Sequence, residues 1–185
     1  MSKIALVLID FQNDYYSSYP GAKWPLVGTE QAAANAALAL QKFRQQGDLV
    51  VHVRHEFAST DAPFFRPGSE GAQIHQSLAP LVSEPVVLKQ QINSFKDTNL
   101  AEILQKAGIE KLVIVGAMSH MCIDAMTRAG KDLDYDCTVL QDACATLDLE
   151  FNGVKVPAAQ VHAAYMAALS FAYAKVTDTR TYLNS

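Results

Sequence analysis

Three side chains in this sequence would make a covalent hydrolytic device if the fold brought them together. Cys122 offers a soft nucleophile, Asp10 a carboxylate that can carry a proton, and Lys89 a fixed positive charge. A thiol attacks a carbonyl as its thiolate, so it needs a base or a cation beside it. Cys122 closes the segment Val113-Ile114-Val115-Gly116-Ala117-Met118-Ser119-His120-Met121-Cys122. The pattern predicts a strand to about Val115, a turn permitted by Gly116, and a helix capped by Ser119. The sulfur then falls in a first helical turn, where unpaired N–H groups and the dipole favour a thiolate and can hold an oxyanion. The plainer alternative is a buried helical cysteine packed on Met126.

Asp10 ends the apolar run Ile4–Ile9, so its carboxylate is expected to be partly desolvated and suited to proton transfer. A turn cap is the bland reading. Lys89 follows Val86-Val87-Leu88, where it can face a carboxylate or stabilise a thiolate, or simply end a strand in water. Phe11, Gln12, His55, Phe57, Ser94, Phe95 and His120 are pocket candidates, since each lies just past a strand or next to one of the three. Trp24, Phe64 and Phe65 are further aromatics that can line such a pocket or pack within the core. Cys137 and Cys144 read as packing residues, with Cys144, placed after the fifth strand, nearer the cleft. His162 reads as structural. The histidines show no His-x-His or His-Glu-x-x-His spacing, so no metal and no cofactor are expected. Neither a phosphate-binding loop nor a dinucleotide fingerprint occurs.

The elements that must position these groups alternate. Continuous apolar runs at residues 4–9, 49–53, 86–88, 111–115, 138–140 and 174–177 predict strands buried on both faces of a parallel sheet. Between them, helices are predicted from Thr29 to about Gln46 with Gly47 closing, from a Thr98 cap to just before Gly108, from Ser119 to near Gly130, and from Pro157 to Tyr173. Such alternation points to a doubly wound α/β sandwich with its site past the carboxyl ends of the strands. Residues 56–85 form the longest irregular stretch, expected to be a lid or a contact between subunits.

The chain has 185 residues, half of them apolar and 18% charged, so a single domain over 1–185 with a sizeable core is expected. A net charge of −4 argues against nucleic acid or an anionic membrane as partner. No run reaches the roughly 18 apolar residues of a bilayer span. The first apolar run is too short for a secretion signal, and three cysteines cannot pair completely, so a cytoplasmic protein is expected.

Taken in order, the motifs resemble those of the isochorismatase-like hydrolases. The likeness is carried by Asp10-Phe11-Gln12-Asn13-Asp14, Arg66-Pro67-Gly68-Ser69-Glu70-Gly71, Lys89 with Asn93-Ser94-Phe95, the segment 116–122, and Asp142-Ala143-Cys144-Ala145-Thr146. It implies a triad of Asp10, Lys89 and Cys122, a cis peptide between Ala117 and Met118, and an oxyanion hole from the N–H groups of Met118 and Cys122. It also implies a six-stranded parallel sheet of order 3-2-1-4-5-6 in an α/β/α sandwich, typically in a homo-oligomer such as a dimer or tetramer. Nicotinamidases of this superfamily place an Asp and histidines after the second strand to hold a metal. Here that stretch reads His52-Val53-Arg54-His55-Glu56-Phe57, which disfavours both metal and nicotinamide. The expected activity is cleavage of a C–N bond in a small amide or carbamoyl compound through a Cys122 thioester. Vinyl ether hydrolysis using Asp10 and Lys89, and a non-catalytic binding relative, are the alternatives.

Overall fold

A computed structural model describes residues 3–185. Six parallel strands form one sheet in the order β3-β2-β1-β4-β5-β8. They are β1 (Ile4–Ile9), β2 (Leu49–His55), β3 (Val86–Lys89), β4 (Lys111–Ala117), β5 (Asp136–Ala145) and β8 (Lys175–Thr177). The order matches the expected 3-2-1-4-5-6 once an unforeseen antiparallel hairpin, β6 (Leu149–Phe151) and β7 (Val154–Val156), is counted between the fifth and last sheet strands. Among the described residues there are five α-helices: α1 (Thr29–Gln46), α2 (Leu100–Lys106), α3 (Asp124–Asp132), α4 (Ala158–Ala172) and α5 (Thr179–Leu183).

The period of two along β1 divides the core. Leu6 and Leu8 face α1, whose Ala32, Ala33, Ala36, Ala39, Leu40 and Phe43 recur at helical spacing. Ala5, Val7 and Ile9 face the opposite layer, built from Leu100 and Leu104 of α2, Met126 of α3, and Met166 and Leu169 of α4. Small alanines let α1 lie close on the sheet, and Gly47 ends that helix as expected. Strand β3 departs from the both-faces-buried pattern: at the sheet edge Val87 and Lys89 are buried while Val86 and Leu88 are exposed. Among the described residues no helix is long and apolar enough to cross a membrane.

Some local expectations are corrected. Thr29 is the first residue of α1 rather than its cap, which is Gly28. Ser119 caps nothing; its hydroxyl bonds the ring of His162 at 2.8 Å and the Ala145 carbonyl at 3.3 Å. Residues Ser119–Ile123 form a π-helical turn, and α3 begins only at Asp124. Cys144 lies inside β5, whose end reaches Ala145, not beyond the strand.

Gly116 makes no turn either. It stays within β4, opposite Ile9 of β1, with φ of +137°. A Cβ there would sit 2.0 Å from the Ile9 carbonyl oxygen. The two central strands thus close on each other at the position that leads into Cys122 and next to the one that leads into Asp10. Gly116→Ala should therefore cost about 3 kcal/mol or more, through backbone overlap and a φ that side chains avoid. A fall in the urea midpoint would register the loss, and an unchanged midpoint would refute this account of the glycine.

Candidate active site

The carboxyl ends of β3, β2, β1 and β4 lie side by side, and each delivers one group. Lys89 is the last residue of β3 and pairs in register with His55, the last residue of β2. Asp10 follows β1 directly. Its backbone adopts φ of 55°, a left-handed conformation that aspartate tolerates better than most side chains. After β4 the Ala117–Met118 peptide is cis, and the wide turn that follows carries Cys122. The Met118 carbonyl accepts from Met121 N–H at 3.0 Å and Ile123 N–H at 3.3 Å. Cys122 N–H lies between those two donors in the turn.

These groups meet around one ammonium. Lys89 Nζ lies 2.9 Å from Asp10 Oδ2, 3.2 Å from Cys122 Sγ and 3.0 Å from His55 Nδ1. All four residues are buried, at 0% exposure for Asp10, 1% for Lys89, 4% for Cys122 and 3% for His55. The contact with Asp10 is one of charge with charge. It is not aligned as a hydrogen bond, so both carboxylate oxygens remain without a hydrogen-bond partner.

Electrostatics set the resting protonation. Burial pulls the Lys89 pKa down, but Asp10 and Cys122 outweigh it, and the net shift is upward, so the ammonium keeps its charge. The Cys122 thiol is pushed up to about 12, first by burial and then by the negative charge of Asp10, against the opposing pull of Lys89. Burial and Asp10 thus favour the thiol over the expected thiolate. His55 is pushed down to about 4 by burial and by the charge of Lys89, and stays neutral.

The other candidates divide. Phe57 packs edge-on against His55, with ring centres 4.5 Å apart. Ser94 is fully buried with its hydroxyl unpartnered. Gln12 is wholly engaged by backbone: it donates to the carbonyls of His55 and Ala72, both at 2.7 Å, and accepts from His55 N–H at 2.7 Å. Phe11 belongs to the core, and Phe95 stacks on Tyr135 with centres 6.0 Å apart. His120 bonds Thr146 at 2.7 Å and meets Tyr165 edge-on, with no hydrogen bond to the three central residues. Cys137 and Cys144 are buried free thiols, each pushed up to about 12 chiefly by burial. His52 faces away from His55 and bonds Glu84 at 2.9 Å. Among the described residues no three His, Cys, Asp or Glu side chains converge as a metal site.

Two residues escaped the sequence reading. Tyr15 is buried beside the cluster, and burial, Asp10, Cys122 and Asp14, in that order, raise its pKa well above 10. A single helical turn over Asn13–Tyr15 folds it back beneath Asp10. Asp14 is a clamp: its carboxylate accepts from Phe65 N–H at 2.8 Å and Lys23 N–H at 3.0 Å. Gly71 must lack a side chain there, since a Cβ would fall 2.3 Å from the Asp14 oxygens. Further bonds from Phe11, Gln12 and Asn13 reach His75, Ala72, Glu70 and Gln73. The irregular stretch after β2 is therefore a roof pinned to the segment that follows Asp10, not a free flap. A recess of about 650 Å³ lined by Arg44, Gly47, Glu84 and Pro85 lies apart and holds none of the four clustered residues.

A sequence model described as an isochorismatase domain matches residues 4–181. The chain is 46% identical over 179 residues to the isochorismatase family protein YddQ of Bacillus subtilis, covering 97% of this chain and 98% of that one. It is 34% identical over 136 residues to maleamate amidohydrolase of Pseudomonas putida, covering 66% and 63%. A crystal structure from Oleispira antarctica, provisionally described as an isochorismatase hydrolase, superposes with a TM-score of 0.97 at 64% identity over all of both chains.

Two outcomes follow from the charges. Asp10→Asn removes a group that raises the Cys122 pKa and leaves the sulfur as the remaining anionic partner of the Lys89 ammonium, so alkylation of Cys122 by iodoacetamide at pH 8 should accelerate, by tenfold or more if the pKa falls by about one unit. A slower reaction would contradict the electrostatics described. His55 binds a proton near pH 6.5 when unfolded but only near 4 when folded. Stability should thus be complete above pH 6.5 and decline as the pH falls to 4, by roughly 2–3 kcal/mol from this group. Denaturant titrations at pH 7 and 4.5, on the protein and on His55→Gln, would isolate that share.

Proposed function

Since the chain belongs to the isochorismatase family of hydrolases, we propose that it hydrolyses a C–N bond of a small amide or carbamoyl compound, with Cys122 as nucleophile. The observation that carries this reading is Lys89 Nζ lying within 3.2 Å of both Asp10 and Cys122 inside the protein. The similarity to a maleamate amidohydrolase supports an amide as substrate.

The resting site holds a charged ammonium, a carboxylate with two unpartnered oxygens, and a protonated thiol. Asp10 takes the thiol proton as Sγ closes on the carbonyl carbon. Negative charge then moves from carboxylate to sulfur and on to the carbonyl oxygen, without changing the total beside Lys89. The raised thiol pKa is consistent with a sulfur that loses its proton only when a substrate is there to be attacked. The Met118 and Cys122 N–H groups receive the oxyanion. Asp10 passes its proton to the leaving nitrogen, the C–N bond breaks, and a thioester remains on Cys122. Asp10 next takes a proton from water, whose oxygen attacks the thioester, and the departing sulfur regains the proton.

Vinyl ether cleavage draws on the same Asp10–Lys89 pair without the sulfur, and the upward push of burial on the thiol pKa is what favours it. A panel of primary amides, ureido acids and isochorismate, tested on the protein and on Cys122→Ala, separates the two. The expected result is amide turnover lost by at least ~10³-fold in Cys122→Ala, and a thioester adduct on the intact protein by mass spectrometry. Full amide turnover by Cys122→Ala would sink the covalent route, and turnover confined to isochorismate would favour the ether route.

A further inference from the structure

His55 takes part in no step above, yet it shares the ammonium with Asp10 and Cys122. Its Nδ1 lies 3.0 Å from Lys89 Nζ, and an ammonium can only donate. Nδ1 must therefore be bare, and the ring proton sits on Nε2. That nitrogen is buried and finds no hydrogen-bond partner. The Gln91 backbone carbonyl is an acceptor that acts on the ring, but Nε2 makes no bond of hydrogen-bond geometry, and the nearest rings, Phe57 and Phe65, offer no acceptor. In sheet order His55 stands between Lys89 at the end of β3 and Asp10 at the end of β1, at the carboxyl rim where ligands of open α/β sheets bind. A buried donor with a fixed tautomer and no well-formed hydrogen bond within the protein, set among aromatic rings, suits one oxygen of a bound molecule.

We propose that His55 is a specificity-determining residue, locked by Lys89 as an Nε2–H donor to a second oxygen of the substrate, so that preferred amides carry a carbonyl or carboxylate oxygen a few bonds from the scissile carbonyl. The substrate class rests on the amide reading, whereas the tautomer and the donor role do not. A substrate with only an alkyl chain at that place would leave the donor unpaired.

The test has one arm that needs no turnover. In long-range ¹H–¹⁵N spectra of labelled protein at pH 7, assigned by the loss of one imidazole in His55→Leu, His55 should be neutral with its proton on Nε2. Added succinate should shift that Nε2 resonance, and butyrate should shift it less. An Nδ1–H tautomer, a charged ring, or no response to succinate would overturn the proposal. In the kinetic arm the protein should prefer succinamate to butyramide in kcat/KM, and His55→Leu should erase at least ~10-fold of that preference. A ratio unchanged in the variant would also overturn it. If neither amide is hydrolysed by the intact protein, the amide reading fails, while the succinate titration still decides the role of His55.

Discussion

The ammonium of Lys89 is closed off from water, and much of the structure around the site follows from that. A lysine buried to this degree would ordinarily lose its proton, because desolvation penalises the charged form. It keeps the charge because Asp10 lies 2.9 Å away. The two are mutually obligate: removing either partner of a buried ion pair commonly costs 3–5 kcal/mol, since the survivor is left as an uncompensated charge. Cys122 and His55 fill the remaining neighbourhood of the same nitrogen. One cation thereby fixes a carboxylate, a thiol and an imidazole in a single constellation.

Such a constellation tolerates little movement, and the sheet supplies the rigidity. Its four groups come from neighbouring strand ends, so their separation is set by backbone ladders rather than by loop geometry. Gly116 brings β4 against Ile9, and the wide turn after Ala117 then returns the chain so that Cys122 faces Asp10 and Lys89. The roof over residues 56–85 is pinned by Gln12, Asn13 and Asp14, the residues that immediately follow Asp10. The same short segment thus delivers the Asp10 carboxylate and secures the cover.

Much of this was legible in the residues. Unbroken runs of Val, Ile and Leu announce strands buried in a parallel sheet, and a charged residue closing such a run announces the rim. Asp10 and Lys89 stand out in that way and Cys122 through the strand–glycine–helix pattern before it, and their order along the chain carries the resemblance to the family. What pattern could not reveal was the outcome of competition. Lys89 favours a thiolate at Cys122, but burial and Asp10 oppose it more strongly, and only coordinates bring these groups into one comparison. Gln12 looked like a pocket residue because it stands beside Asp10; its side chain is instead spent on backbone groups distant in sequence. Tyr15 and Asp14 were missed because a single helical turn, too short to leave a periodic signal, folds them back toward the site.

The distribution of pins along the roof divides it into parts with different freedom to vary. From Phe65 to His75 the backbone is tied repeatedly to the stretch after Asp10. Residues 58–61 are exposed and held only by a local turn centred on Ser59. Insertions or exchanges in that short span would leave the anchoring bonds intact. Divergence among descendants of this scaffold, or a laboratory library aimed at new ligands, therefore has a natural window there, bounded on one side by Phe57 and on the other by Phe64.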